Sequence, residues 1–201
     1  MGTQERKARE RKNRENLIID AAEKVFFTKG FEQSSMDDIA REAELSKGSL
    51  YNYFKNKNEL CIGIVSRSLN IIIHYINSEE LEDSGLARVM NIAKAFMKFQ
   101  QDNPKYYCAL QSYRQHRCGC GQNSKFLNLT LEENQKIREI ITFALKQGIK
   151  DKSIRAEIDA VKAANALWGE ANGIFPALDL SCKDSNACEY AIELIINSLK
   201  T

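Results

Sequence analysis

Basic, hydroxyl and phenol side chains are concentrated in residues 46–53, which read SKGSLYNY. Lysine, serine, asparagine and tyrosine donate hydrogen bonds to base edges and phosphate oxygens. A glycine among them lets the backbone approach a partner closely. Leu50 and Phe54 are four residues apart, so they are expected to face inward on a short helix. These residue types predict a nucleic-acid-binding surface rather than a catalytic centre.

The flanking residues supply the elements that would position this surface. Ser35 followed by Asp38 has the spacing of a capping box, which starts a helix. Leu45 closes a tight turn, Ser46 is expected to cap a second short helix, and Asn56 to cap a third. A short helix held across another by apolar contacts is a helix-turn-helix, which presents a recognition helix to the major groove.

The run DDIAREAELSKGSLYNYFKNKNEL resembles the DNA-binding signature of the tetracycline-repressor (TetR) family, with the match extending from about Asn16 to Leu60. Members usually carry Gly in the turn, where this chain has Glu44. A left-handed Glu there would cost about 1 kcal/mol relative to Gly. The resemblance implies DNA contacts at Ser34, Ser35, Ser46, Lys47, Gly48, Ser49, Tyr51, Asn52, Tyr53 and Lys57.

Within that set the implied roles differ. Lys47, Gly48 and Ser49 are candidates to read bases, and the others position the protein on the backbone. Lys57 is expected to bind a phosphate at a helix N-terminus. The structural alternatives are a core tyrosine at Tyr53 and a solvated lysine at Lys57.

Two prolines, ten glycines and no sustained alternation predict an all-α fold of about nine helices. Residues 1–13 are expected to form a flexible basic arm, which is either a solubilising tail or a contact to DNA phosphates or a minor groove. Residues 14–60 are expected to form a three-helix DNA-binding domain with its motif at about 35–54. Residues 61–201 are expected to form a larger effector-binding and dimerisation domain. Gly30, Gly148 and Pro176 are expected to end helices.

The last helix is apolar on two sides, so it needs two packing partners, one of which is plausibly a second subunit. The resemblance implies that the last two helices of each subunit pair as a four-helix bundle. The expected interface residues are Ala163, Ala166, Gly173, Leu194 and Ile195.

The centre of the second domain is rich in wide aromatics and amides, which pack imperfectly and favour a ligand cavity. Its expected lining is Phe96, Tyr107, Gln111, Phe126, Asn134 and Trp168. No Arg or Lys is clearly placed at its centre, so an aromatic or hydrophobic, neutral or cationic effector is expected. The resemblance implies a dimeric repressor of a pseudo-palindromic operator, released when the effector tilts the connecting helices. An effector-independent architectural DNA binder is the alternative.

Cys108, His116, Cys118 and Cys120 invite a metal interpretation. The C-x-C pair has one intervening residue, whereas structural zinc sites prefer two to four. A plain loop is therefore expected, with a metal- or redox-sensing regulator as the alternative, and no cofactor is required.

Further features of the sequence predict the cellular compartment and whether the protein is an enzyme. Six cysteines without a secretory signal indicate the reducing cytoplasm. The sequence contains no apolar stretch of about 20 residues, so no membrane partner is expected. The chain has no P-loop, G-x-S-x-G or dinucleotide motif, so no enzyme is expected.

Overall fold

The computed structural model describes residues 2–78, 83–115, 125–181 and 185–201, apart from the side chains of 114–115, 174–181 and 185–188. Nine helices form within these residues and confirm the predicted all-α class. They are α1 (Thr3–Lys29), α2 (Met36–Glu42), α3 (Lys47–Tyr51), α4 (Lys57–Ser78), α5 (Gly85–Asp102), α6 (Pro104–Gln115), α7 (Lys125–Lys150), α8 (Ala160–Ser181) and α9 (Ser185–Leu199).

The predicted helix starts around the motif are confirmed by their hydrogen bonds. The Ser35 hydroxyl accepts from the Asp38 amide at 3.1 Å, and the Asp38 carboxylate accepts from the Ser35 amide at 3.1 Å. The Ser46 hydroxyl accepts from the amide at position 49 at 3.1 Å. Asn56 accepts from the Glu59 amide at 3.0 Å, ahead of α4. Each cap satisfies an amide that the first helical turn leaves unpaired.

Contacts divide the chain into two compact units. The first unit comprises Met1–Ser68 and Cys108–Thr130, and the second comprises Leu69–Tyr107 and Leu131–Thr201. The sequence placed the boundary near residue 60, in front of most of α4. The first unit therefore takes in more of α4 than was expected, together with a later segment of the chain.

Close packing within the first unit explains why it includes the start of α4. A Cβ added at Gly63 would lie 2.9 Å from Cδ1 of Ile19 on α1. Arg67, one turn further along α4, forms ion pairs with Asp20 and Glu23 of α1 at 2.5 and 3.0 Å. The first part of α4 is thus fastened to α1 by packing and by charge.

One predicted helix start and two predicted helix ends were wrong. Helix α1 begins at Thr3 rather than near residue 14, because Glu, Arg and Lys are good helix formers that extend an established helix. Helix α7 continues past Gly148 to Lys150. Helix α8 continues through Pro176 to Ser181, since a proline can kink a helix without ending it.

Each unit has its own apolar core. In the first unit, α1 packs on α2 and α2 on α3, while in the second α5 and α8 both pack on α9. Fully buried side chains of the first core include Ile18, Ile39, Leu50, Phe54 and Leu60. Those of the second include Leu69, Ile72, Phe99, Ile137 and Leu145.

Helix α4 is the one described helix that is long and apolar enough to cross a bilayer. Of its apolar stretch, 56% is buried inside the protein. Burial of this kind is the pattern of a core helix rather than of a lipid-facing one.

Candidate DNA-binding surface and ligand cavity

The turn between α2 and α3 is held by two backbone hydrogen bonds. The Leu45 amide donates to the Ala40 carbonyl at 2.8 Å, and the Glu44 amide donates to the Arg41 carbonyl at 3.2 Å. This pair of bonds is a Schellman motif, whose middle residue is left-handed. Glu44 has φ of 53°, so it takes the conformation that favours glycine, as the sequence predicted.

Helix α3 is buried on one side and open on the other. Leu50 and Phe54 are fully buried, as expected. Lys47, Gly48 and Tyr51 are exposed on the opposite side. A Cβ added at Gly48 would meet no atom within 4 Å. Nothing described within the protein therefore requires a glycine there.

Lys47 is paired in the free protein. Its ammonium lies 2.8 Å from the carboxylate of Asp37, at the start of α2. The hydrogen bond from Lys47 to Asp37 raises the pKa of Lys47 above its ordinary value. Both side chains are more than half exposed, so a phosphate can replace Asp37 at little cost. Asp37 was not among the predicted site residues, although its place in the first turn of α2 is visible in the sequence.

Two expected phosphate contacts are engaged within the protein. Ser34 is buried and donates its hydroxyl to the Gly30 carbonyl at 2.5 Å. The Lys57 ammonium donates to the carbonyls of Phe31, Glu32 and Ser34 at 2.8, 3.1 and 3.2 Å. An ammonium has three protons, so phosphate binding by Lys57 would have to break one of these bonds. The solvated lysine of the alternative interpretation is not what the structure shows.

The remaining predicted contacts lie at the start of α2 and within or beside α3. Ser35 and Ser46 are exposed residues that cap their helices. Ser49 is half-buried and lies beside Ser46. Tyr53 is half-buried beneath the guanidinium of Arg11, which lies 5.3 Å from its ring centroid. Asn52, which is exposed, accepts a hydrogen bond from Arg11 through its carbonyl at 3.4 Å. Their roles on DNA stay predictions.

The second unit contains an apolar cavity of about 60 Å³. Side chains from α4, α5, α7, α8 and α9 surround it, and almost all of them are aliphatic or aromatic. They are Ile72, Ile76, Val89, Ile92, Ala93, Phe96, Ile141, Leu167, Trp168, Ala171, Ile192, Ile195 and Ile196. A cavity of this composition offers a ligand dispersion and burial of hydrocarbon rather than hydrogen bonds.

Two of the predicted effector residues line this cavity. The rings of Phe96 and Trp168 meet edge to face with centroids 5.8 Å apart. Asn134 accepts a hydrogen bond from the Trp168 indole at 2.9 Å, which fixes the orientation of that ring. Tyr107 packs edge to face on Phe96 at 6.4 Å, behind the wall.

The other two predicted effector residues belong to the first unit. Gln111 and Phe126 both fall within Cys108–Thr130. Phe126 stacks on Phe54 with ring centroids 4.8 Å apart. It is therefore a core residue of the DNA-binding unit, and neither residue is among those lining the cavity.

Sequence reasoning missed the aliphatic majority of the lining. Ile72 and Ile76, and Val89 with Ala93, recur at helical spacing, which is also the signature of an ordinary core. The pattern marks the inward face of each helix but does not show whether that face meets another side chain or empty space. Only the assembled helices decide this.

The outer sides of α8 and α9 expose several apolar residues. Val161, Tyr190 and Leu194 are 53%, 62% and 54% exposed. Ala166 and Gly173 are exposed and Ala163 is half-buried. Ile195 is half-buried and lines the cavity, so it does not belong to this outer face alone. The interface role of the predicted residues stays a prediction, and Val161 and Tyr190 are additional candidates.

The metal interpretation concerned residues that lie mostly outside the described part. Cys108 is a free, exposed cysteine on α6. His116, Cys118 and Cys120 fall outside the described residues. Among the residues that are described, no group of three or more His, Cys, Asp or Glu side chains is placed to hold a metal ion.

The capped α2, the Schellman turn and the half-exposed α3 together define a helix-turn-helix DNA-binding protein. Residues 18–63 match the family profile described as bacterial regulatory proteins, tetR family. Residues 18–63 are therefore a tetR-type DNA-binding domain, which confirms the resemblance found in the sequence.

Other proteins share parts of this sequence or the overall fold. An HTH-type transcriptional regulator of Staphylococcus aureus (strain USA300) is 31% identical over 93 residues, which cover 46% of this chain and 50% of that relative. The fatty acid metabolism regulator protein of Bacillus subtilis (strain 168) is 26% identical over 162 residues, covering 76% of each. The structure of the B. subtilis regulator FadR in complex with stearoyl-CoA has a TM-score of 0.67 at 19% identity, covering 91% of this chain and 98% of that one.

Proposed function

We propose that the protein is a dimeric transcriptional repressor whose effector is a long-chain fatty acyl group, carried as a coenzyme A thioester. The helix-turn-helix binds a pseudo-palindromic operator in the cytoplasm. The acyl chain enters the cavity of the second unit and stabilises a form of the dimer that does not bind the operator. The hydrocarbon wall of that cavity is the observation that carries the proposal.

The cavity lining favours an acyl chain over a compact polar effector. The wall offers aliphatic side chains and two aromatic rings, and its indole N–H is already bound to Asn134. A polar effector would leave its own hydrogen-bonding groups unsatisfied there, which costs roughly 1–3 kcal/mol for each group. The similarity to a fatty acid metabolism regulator and to a structure holding stearoyl-CoA supports the same choice.

Because the cavity is small, an effector that enters it would have to displace the surrounding helices. About 60 Å³ is well below the roughly 300–1,000 Å³ of pockets for drug-sized ligands. An acyl chain must therefore move the helices that form the wall, and one of these is α4, whose first half belongs to the DNA-binding unit. A ligand that binds the moved form more tightly shifts the population toward it. An architectural DNA binder would have no use for such a cavity.

The effector is tested by anisotropy of a labelled duplex that the protein selects from a random-sequence library. Stearoyl-CoA and palmitoyl-CoA should release the duplex and quench Trp168 fluorescence, whereas acetyl-CoA and free coenzyme A should do neither. Equal release by acetyl-CoA, or no release by any acyl-CoA, would contradict the proposal.

A matched pair of variants on α5 assigns the response to the cavity. Ala93 lines the cavity and its neighbour Lys94 is exposed. Ala93→Val should fill much of the space, keep duplex affinity and weaken release by stearoyl-CoA. Lys94→Val, with the same side chain at the next position, should keep both properties.

The proposed DNA binding by α3 is tested at Lys47. Lys47→Ala should retain the helical circular dichroism signal and weaken binding to the selected duplex by about five- to 150-fold. Lys146→Ala, at an exposed position on α7, should bind as the unmodified protein does. Unchanged affinity in the Lys47 variant would remove that residue from the interface.

A further inference from the structure

The first half of α1 is a helix that the core does not require. Burial along α1 begins at Glu15, and residues 3–14 are all exposed. Those twelve positions carry six basic side chains against two acidic ones, and their only apolar residue is Ala8. An exposed helical extension adds little to the stability of the fold, so its charge pattern points to another purpose.

Most of the basic groups in this extension have no carboxylate partner among the described residues. Arg6 is paired with Glu10 at 3.5 Å, and Arg11 with Glu15 at 3.2 Å. Glu5 accepts from the backbone amide of Gly2. No ion pair of the described residues engages the four cations Lys7, Arg9, Lys12 and Arg14.

Three of the basic residues form a stripe along one side of the helix. Lys7, Arg11 and Arg14 are spaced four and three residues apart, so they lie above one another. They line a shallow groove together with Leu17 and Tyr53. We call these three residues the basic stripe.

The basic stripe continues the surface of the recognition helix. The Arg11 guanidinium lies over the Tyr53 ring and donates to the Asn52 carbonyl, and these two residues directly follow α3. The stripe extends about 10 Å along α1 at 1.5 Å per residue. Measured along the DNA axis, that length spans about three base-pair steps of 3.4 Å.

We propose that the basic stripe is a second DNA contact, in which Lys7, Arg11 and Arg14 bind the phosphates flanking the half-site occupied by α3. This inference rests on the proposed operator binding. Lysine and arginine on a helix held beside Tyr53 meet phosphates without the ordering cost of a flexible arm. A lipid surface is the less suitable polyanion, because a membrane-bound helix needs an apolar face and this extension has none.

Phosphate contacts are measured by the salt dependence of binding. The variant Lys7→Gln/Arg14→Gln removes two charges from the stripe and leaves Arg11 to hold Tyr53. The control Arg9→Gln/Lys12→Gln removes the same charge from the opposite side of the helix, since residues turn by 100° each. Circular dichroism should show equal helicity in both.

The stripe variant should reduce the slope of log K against log salt by about 2 for each bound protomer, while the control changes it little. Hydroxyl-radical footprints should lose protection at the flanks of the site in the stripe variant only. If the two variants give equal slopes on a duplex that the unmodified protein binds, the proposed phosphate contact of the basic stripe is contradicted. The proposed operator binding is not affected by that result.

Two further outcomes separate this inference from its premises. If the unmodified protein selects no duplex, the proposed operator binding and the stripe contact both fall. If the stripe variant keeps the DNA slope and loses binding to phosphatidylglycerol vesicles, the stripe is a lipid contact and the DNA assignment is overturned.

Discussion

At the scale of single residues, the turn between α2 and α3 places a charged side chain where glycine is favoured. Glu44 is left-handed because the Schellman hydrogen bonds on either side of it fix the backbone. A side chain in this conformation costs about 1–2 kcal/mol. The strain lies inside the motif that presents α3.

Replacing Glu44 by Gly should therefore raise the free energy of unfolding by about 1 kcal/mol, after the added freedom of Gly in the unfolded chain is subtracted. Urea unfolding followed by circular dichroism measures the change. Glu44→Ala removes the same charge without relieving the strain, so it should give no comparable gain. Equal effects of the two substitutions would show that charge, not conformation, governs this position.

Asp38 links α1 to α2 and makes the stability of the first unit dependent on pH. Hydrogen bonds from Lys29 and Ser35 lower the pKa of Asp38 from 3.8 to about 2. A lowered folded pKa contributes stability that is present above the unfolded value and is lost as pH falls through the folded one. The window is therefore about pH 4 down to pH 2.

Asp38→Asn should lower the melting temperature at pH 6 and lower it less at pH 2.5, because the unmodified protein has lost most of this stabilisation there. Asp83→Asn, at an exposed position before α5, is the control and should follow the unmodified protein throughout. A constant difference between Asp38→Asn and the unmodified protein across this window would contradict the assignment.

Residue types predicted the caps correctly but not the partners of Ser34 and Lys57. A cap depends on residues three positions apart, so its spacing is visible in the sequence. The carbonyls that engage Lys57 come from residues 31–34, and they converge only after α1 and α4 have packed together. Sequence reasoning therefore assigns a lysine to the surface until the fold supplies acceptors for it.

At the scale of helices, the existence of each element was predictable and several ends were not. Apolar residues at helical spacing identified the helices, whereas single residues such as Gly148 were given too much weight as stops. Gly148 serves a contact instead, because a Cβ added at Gly85 would lie 1.9 Å from the Gly148 nitrogen. The start of α5 thus rests directly on the backbone of α7, and no local signal reveals that partner.

Gly85→Ala should destabilise the second unit by about 1–3 kcal/mol, since the clash is with backbone that cannot turn aside. Gly169→Ala on α8 is the comparison, because its added Cβ meets nothing within 4 Å. That variant should gain up to about 1 kcal/mol from better helix propensity. Urea unfolding measures both, and a neutral Gly85→Ala would mean that α5 can shift away from α7.

At the scale of the whole molecule, the outer sides of α8 and α9 expose large apolar side chains among the residues that the structure describes. Leu194 and Tyr190 are more than half exposed although both are large and apolar. The sequence predicted such a surface from the second apolar side of α9. It did not separate Leu194, which points outward, from Ile195, which lines the cavity, because adjacent residues of a helix differ by only 100°.

Leu194→Glu should give monomers in size-exclusion chromatography with light scattering, and should lose binding to a two-half-site duplex. The physical reason is that a carboxylate in a dimer interface would be desolvated without a partner. Leu131→Glu makes the same change at another leucine with 54% exposure, and it should remain dimeric. A dimeric Leu194→Glu protein would place the interface elsewhere.

The apolar cavity also makes the molecule sensitive to hydrostatic pressure. Water has no polar partners in such a space, so the cavity stays dry and its empty volume disappears when the second unit unfolds. Compression favours the smaller total volume and therefore the unfolded chain. An acyl chain that fills the space would remove part of this volume change, so the protein holding the proposed effector should withstand compression that unfolds the empty protein.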